Sequence, residues 1–140
     1  LVKNKRVIIP MDGFYEWKRQ GRRPMPYLMR RRDKRILSLA GIWETHLDAS
    51  GATTNSFAIL TTAANDLMAP IHHRMPIVIA PESRGRWLDA KRQTRADVDD
   101  LLVAPPTADY ECFQVSEKVN SVANDSPDCL QPGPDQQSLF

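Results

Sequence analysis

The sequence predicts an α+β domain built mainly from antiparallel strands, and three observations lead there. Short β-branched or aromatic runs with period-two alternation fill most of the first eighty residues. The turns between them are short. The two stretches with helical character come late, between 81 and 104. A chain of 140 residues with 41% hydrophobic content fits one domain with a core of its own.

Taken in order, "KRVIIP" (5–10) is a β-branched run stopped by proline, and "GFYEWKR" (13–19) alternates aromatic with polar residues, so both read as strands. "MPYLMR" (25–30) and "RILSLAGIWETH" (35–46) flank the charged stretch at 31–34 and read as a hairpin with a longer loop. "NSFAILTTAAN" (55–65) is the next strand, and "DLMAP" (66–70) has room for one helical turn before Pro70. "RMPIVIA" (74–80) is a strand that Pro76 assigns to an edge or an irregular start. "PESRGRWLDA" (81–90) has a proline suited to the first helical position and reads as a short helix. "TRADVDDLLVA" (94–104) reads as a second helix, with Thr94 as its cap, Val98, Leu101 and Leu102 on one face, and Pro105 and Pro106 closing it. "YECFQVS" (110–116) is a last strand. From Asn120 onward low apolar content and prolines at 127, 132 and 134 predict an extended or disordered tail, giving a domain over 1–119 and a tail over 120–140.

No run approaches the roughly 18 apolar residues of a membrane span, so no membrane partner is expected and the cytosol is the default compartment. Cys112 and Cys129 form no CxxC, which suggests neither a disulfide framework nor a zinc knuckle. The net charge of +2 hides an asymmetry: residues 1–35 carry twelve Lys or Arg against Asp12, Glu16 and Asp33, and the remainder carry seven against fourteen acids. A positive face of that kind suits phosphates. For "RRRDKR" (30–35) a solvated loop is the better reading, whereas Lys18, Arg19, Arg22 and Arg23, beside Glu16 and Trp17, are balanced between a solvated face and a nucleic-acid contact.

Two clusters draw chemical attention. On a strand Glu16 points away from both Tyr15 and Trp17, and enclosure of that face would suit it to general acid or base work, although a lone glutamate is more often solvated. "PIHHRMPIVIA" (70–80) sets His72, His73 and Arg74 before an apolar run. Histidine moves protons near neutral pH and arginine offers a fork to phosphate oxygens. Alternation puts His72 and Arg74 on one side and His73 on the other, so one catalytic and one structural histidine is the expectation. His46 and scattered acids complete no ligand pattern, so no metal and no cofactor is expected. Asn65 either orients a substrate or caps the turn that follows it, and the cap is the better reading. Trp17 either stacks on unpaired bases or belongs to the core; Trp43 reads as core. A thiol hydrolase using Cys112 is a conceivable alternative with no geometry behind it, since Cys112 reads as core.

The motifs "VIIPMDGFYEWKR", "LAGIWE", "FAILTTAAN", "IHHRMPIVI" and "RWL", in this order from about Val7 to about Asn120, resemble the SRAP family, the SOS-response-associated peptidases. The resemblance implies a compact α+β fold with a β-barrel-like core and a groove for single-stranded DNA. It implies recognition and covalent capture of abasic sites in the DNA damage response. In that family a cysteine exposed when the initiator methionine is removed condenses its amine with the sugar aldehyde, and its thiol closes a thiazolidine ring. By the same resemblance Glu16 and His72 serve the proton transfers and Arg74 lies near the DNA phosphates. The residues themselves, apart from the resemblance, offer Trp17, Lys18, Arg19, Arg22, Arg23 and Asn65 as further candidate DNA contacts. The sequence given starts at Leu1, so it matches the C-terminal part of the family's domain and carries no such cysteine. The expectation is therefore a monomer binding single-stranded DNA with abasic sites, nucleoid-associated if bacterial, with the covalent step reserved to a chain that has the cysteine. A noncovalent single-strand-binding module is the alternative.

Overall fold

The structure, a computed structural model, describes residues 5–92 and 94–133, apart from the side chain of Gln20. Eight strands and one short α-helix are described: β1 (Arg6–Met11), β2 (Gly13–Gln20), β3 (Arg23–Arg31), β4 (Leu37–Leu47), β5 (Thr53–Ile59), β6 (Thr61–Ala63), β7 (Arg74–Pro76), α1 (Arg84–Leu88) and β8 (Tyr110–Gln114). They form two three-stranded sheets, β1-β4-β5 and β2-β3-β8, and the pair β6-β7, with antiparallel pairing throughout. This is the α+β, antiparallel architecture expected from the sequence. The described strands do not close into a barrel.

The alternation in "GFYEWKR" becomes β2, and β3 follows through a turn where Gly21 takes φ +66°, a conformation glycine adopts without strain. Gly13 begins β2 because a Cβ there would lie 2.7 Å from the Met29 carbonyl oxygen. The expected pairing of the next two strands does not form. β3 and β4 belong to different sheets, β3 pairing with β2 and β8, and β4 with β1 and β5. The reason lies in the charged loop between them. Asp33 accepts hydrogen bonds from the side chains of both Arg31 (2.6 and 2.8 Å) and Arg35 (2.8 Å), and Lys34 takes φ +58°, so the chain is redirected instead of folding back. "RRRDKR" is thus an internal ion cluster at an exposed corner, in line with its solvated reading.

The long run 55–65 breaks at Leu60, whose N–H donates to the Ala40 carbonyl and whose carbonyl accepts from Ile77 N–H. That break hands the chain from β5 to β6. Val78 then bridges Leu39, so the segment after β7 tethers the small pair to β4. Two apolar clusters result. Met29, Leu37, Leu39, Met68, Met75 and Tyr110 form one; Ala40, Ile77, Ile79, Trp87 and Val98 form the other.

Two expectations need correction. Residues 94–104 do not form an α-helix; they make 3-10 turns at Arg95–Asp97 and Asp99–Leu101. Thr94 does cap, its N–H and hydroxyl both reaching the Asp97 carboxylate. Arg86, however, takes the Asp97 carbonyl (2.9 and 3.1 Å), which an α-helix would need as the acceptor for Leu101, and Leu101 N–H bonds Val98 instead. The second concerns the tail. Residues 127–130 form a 3-10 turn, Cys129 is buried, Pro132 bridges Val115 and Gly133 N–H donates to Gln114, so packing continues past Asn120 to residue 133. Low hydropathy did not prevent docking because backbone groups make most of these contacts. Residues 134–140 of the expected tail lie outside the described residues.

Candidate functional site

Glu16 sits mid-strand in β2, and alternation sends its side chain away from Tyr15 and Trp17. The contacts bear this out: the Tyr15 hydroxyl donates to the Cys129 carbonyl (3.2 Å) and the Trp17 indole N–H donates to Asn120 Oδ1 (2.7 Å), both in the C-terminal segment, whereas Glu16 faces His72. Glu16 Oε1 accepts the Trp17 N–H (3.2 Å), which steadies the carboxylate. His72 arrives from the other end of a turn closed by Asn65. Asn65 Oδ1 accepts Met68 N–H (3.1 Å), its carbonyl accepts Met68 and Ala69, and the Met68 carbonyl accepts His72 N–H (3.1 Å).

The two side chains meet at 4.0 Å, Glu16 Oε2 to His72 Nδ1, with 26% and 39% of the side chains exposed. This separation is too long for a hydrogen bond, so the two groups lie side by side without being bonded to each other. Nδ1 also lies 2.9 Å from the Arg74 carbonyl and 3.2 Å from the Arg74 N–H. It can donate to the first when protonated and accept from the second when not, so the ring keeps its place in either state. Nε2 has no partner among the described residues and is the nitrogen open to a substrate. A carboxylate and a held imidazole, both solvent-accessible, can pass protons to and from a small electrophile.

Arg74 is held in turn. Its Nε donates to Thr61 Oγ1 (2.9 Å) and one terminal nitrogen donates to the Thr61 carbonyl (2.6 Å), leaving the other terminal nitrogen without a partner among the described residues. The His73 ring lies 4.5 Å from that of His72 in a tilted arrangement. Lys18, Arg19, Arg22 and Arg23 make no side-chain ion pair among the described residues. By alternation Lys18 shares the Glu16 face and Arg19 the Trp17 face, while Arg22 and Arg23 are exposed at the turn.

Other candidates lie apart from the Glu16–His72 pair. Trp17 is on the opposite face of β2 from Glu16, bound to Asn120. Asn65 uses both ends of its amide inside the protein, Nδ2 donating to the Pro105 carbonyl (2.9 Å), so it acts as the cap. Trp43 is partly exposed and lies outside both core clusters. Thr61 and Asn120, which position Arg74 and Trp17, went unnoticed in the sequence, where nothing distinguishes them from other polar residues. The Cys112 thiol is pushed up to about 11 by burial, an environment that withholds the thiolate a hydrolase would need. Among the described residues no group of His, Cys, Asp or Glu has the arrangement of a metal site. No helix there is long and apolar enough to cross a membrane. A cleft of about 880 Å³ between Arg31–Ser38, Val78–Arg84 and Asp100–Tyr110 contains none of these residues. The chemistry, not the concavity, marks the site.

Comparison with known proteins identifies the family. The profile of the family described as SOS response associated peptidase (SRAP) matches residues 1–122. The chain is 35% identical over 129 residues to the abasic site processing protein YoqW of Bacillus subtilis, covering 91% of this chain and 58% of that one. It is 33% identical to the abasic site processing protein HMCES of Gallus gallus, covering 94% of this chain and 45% of that one. A crystal structure of a protein from Bacteroides thetaiotaomicron superposes with TM-score 0.84 at 30% identity, covering 94% of this chain and 58% of that one. The chain thus spans about half the length of these relatives. With the family's profile running through nearly every described element and the fold shared with a solved relative, the chain belongs to the SRAP family.

Proposed function

We propose that this chain processes abasic sites in single-stranded DNA as part of a DNA damage response, with Glu16 and His72 moving protons and Arg74, Lys18, Arg22 and Arg23 holding phosphates. The observation that carries the reading is the approach of Glu16 to His72, two residues far apart in sequence that meet with Nε2 left open. The names of the relatives supply the substrate class. An abasic sugar exists partly as an open-chain aldehyde. Attack by an amine gives a carbinolamine, which loses water to an imine once its hydroxyl is protonated, and His72 as imidazolium would be the donor. Glu16 would accept the proton that the amine loses. In a chain with an N-terminal cysteine the thiol then adds across the C=N bond to give a thiazolidine, with no oxidant or reductant required.

The test uses the protein as its own host makes it and a single-stranded oligonucleotide with one abasic site. An adduct that survives denaturation is expected, absent from an intact strand. Glu16→Gln and His72→Ala should slow its formation by about 10²–10⁴, the range for a positioned acid or base, with the fold retained by circular dichroism. Unchanged rates in both variants would remove the assigned roles.

A second reading, a noncovalent single-strand-binding module, is favoured by the four cations without ion-pair partners. It predicts binding by the 140-residue chain itself, weakening as salt rises. Arg74→Ala should weaken it further and flatten the salt dependence; salt-insensitive binding would dismiss this reading.

A further inference from the structure

The face of the β2-β3-β8 sheet that carries Glu16 begins in the core and ends in solvent. Along it Phe14 pairs with Met29, which is fully buried, then Glu16 pairs with Tyr27 and Lys18 with Met25, and both Tyr27 and Met25 are only half-buried. Tyr27 is therefore the direct cross-strand neighbour of Glu16. The Cβ atoms of such a pair lie about 4.5–5.5 Å apart. The Glu16–Tyr27 rung is where this face leaves the core.

Tyr27 differs from the other tyrosines of the chain. Of the three, Tyr15 donates its hydroxyl to the Cys129 carbonyl and Tyr110 is buried in a core cluster. Tyr27 belongs to neither core cluster, and its hydroxyl bonds no group among the described residues and is open to solvent. A tyrosine set into a protein ordinarily finds a partner for its hydroxyl. Strand side chains stand roughly perpendicular to the sheet, and a tyrosine is longer than a glutamate. The free hydroxyl thus reaches beyond the Glu16 carboxylate, to the level of whatever rests on it, and Glu16 itself faces His72 at 4.0 Å.

We infer that Tyr27 is a further substrate-contacting residue of this site, its hydroxyl donating a hydrogen bond to the oxygen on C1 of the abasic sugar. The inference rests on the abasic-site chemistry proposed above. That oxygen is the carbonyl oxygen of the open-chain aldehyde and, once the amine has attacked, the hydroxyl that leaves as water. It has lone pairs enough to accept from Tyr27 while His72 protonates it. The bond holds C1 over Glu16 and draws charge from the carbonyl as the amine attacks, and Tyr27 keeps its own proton throughout.

The test measures binding of the host-made protein, at one salt concentration, to two unreactive single strands. One carries a borohydride-reduced abasic site, which keeps an oxygen on C1 but forms no imine; the other carries the tetrahydrofuran analogue, which lacks that oxygen. The unaltered protein should prefer the reduced site by about three- to tenfold, the range for one neutral hydrogen bond. Tyr27→Phe, with its fold confirmed by circular dichroism, should lose most of that preference and slow adduct formation with the natural abasic site by a similar factor. Tyr15→Phe, whose hydroxyl serves the opposite face, should keep the preference. A preference unchanged in Tyr27→Phe, or missing from the unaltered protein, would overturn the inference. If adduct formation still depends on Glu16 and His72 in that case, the proposed chemistry stands without Tyr27. A preference that Tyr27→Phe abolishes, in a protein whose adduct forms regardless of Glu16 and His72, would uphold the contact and refute the chemistry instead.

Discussion

At the scale of single residues, backbone contacts hold the site more than side chains do. His72 is kept in place by the Arg74 peptide and by the turn that Asn65 closes. Asn65→Ala should therefore cost about 1–2 kcal/mol, the range for a lost cap together with a buried hydrogen bond, and should broaden or shift the His72 ring resonances. Asn65→Asp keeps the acceptor for Met68 and should lose less. A stability loss with the His72 resonances unmoved would separate the cap from the site. Cys112 gives a pH-dependent expectation. Its folded thiol is raised from an ordinary 9.0 to about 11 by burial, so the unfolded chain ionises first. The folded state then holds more protons between these values, and stability falls as pH rises through that window. Denaturation from pH 8 to 11 should show this loss, and Cys112→Ser should remove that part of it. Alkylation of the native thiol should be slow at neutral pH.

At the scale of elements, the C-terminal segment is the part whose role the fold changes most. It grips β2 from behind through Tyr15 and Trp17, on the side opposite Glu16, and pairs with the end of β8. Ending the chain after residue 122, which removes Cys129 and Pro132 but keeps Asn120, should expose Tyr15 and Val115 and lower the melting temperature; unchanged melting would mean that the segment adds nothing to stability. The positions of the strands were legible in the sequence because period-two alternation is local, and β2 falls where "GFYEWKR" says it should. Their pairing was not. The change of sheet between β3 and β4 depends on Asp33 binding two arginines at once, and the loss of helix at 94–104 depends on Arg86 reaching the Asp97 carbonyl from α1. Neither effect leaves a periodic trace. Glu16 was legible as facing away from its aromatic neighbours for the same local reason, and the docking of Trp17 on Asn120 was not, since it joins distant parts of the chain.

At the scale of the whole molecule, the charge asymmetry of the sequence is retained in the structure as cations without ion-pair partners on β2 and the β2–β3 turn, while Arg31 and Arg35 share the Asp33 carboxylate. Removing Arg22 and Arg23 together should lower the slope of log affinity for single-stranded DNA against log salt by about 1.4, since each phosphate contact on a single strand contributes about 0.7. Arg35→Ala should leave that slope unchanged. An equal fall in both would spread the DNA contact over the whole basic region.

The central claim is that Glu16 and His72 work as one proton-transfer unit on an abasic aldehyde. The most direct measurement compares the rate of adduct formation by the host-made protein, Glu16→Gln, His72→Ala and the double variant, all confirmed as folded. Groups acting as a unit give a double variant about as slow as the slower single one. Losses that multiply would contradict that unit, and a double variant as fast as the unaltered protein would place the chemistry elsewhere.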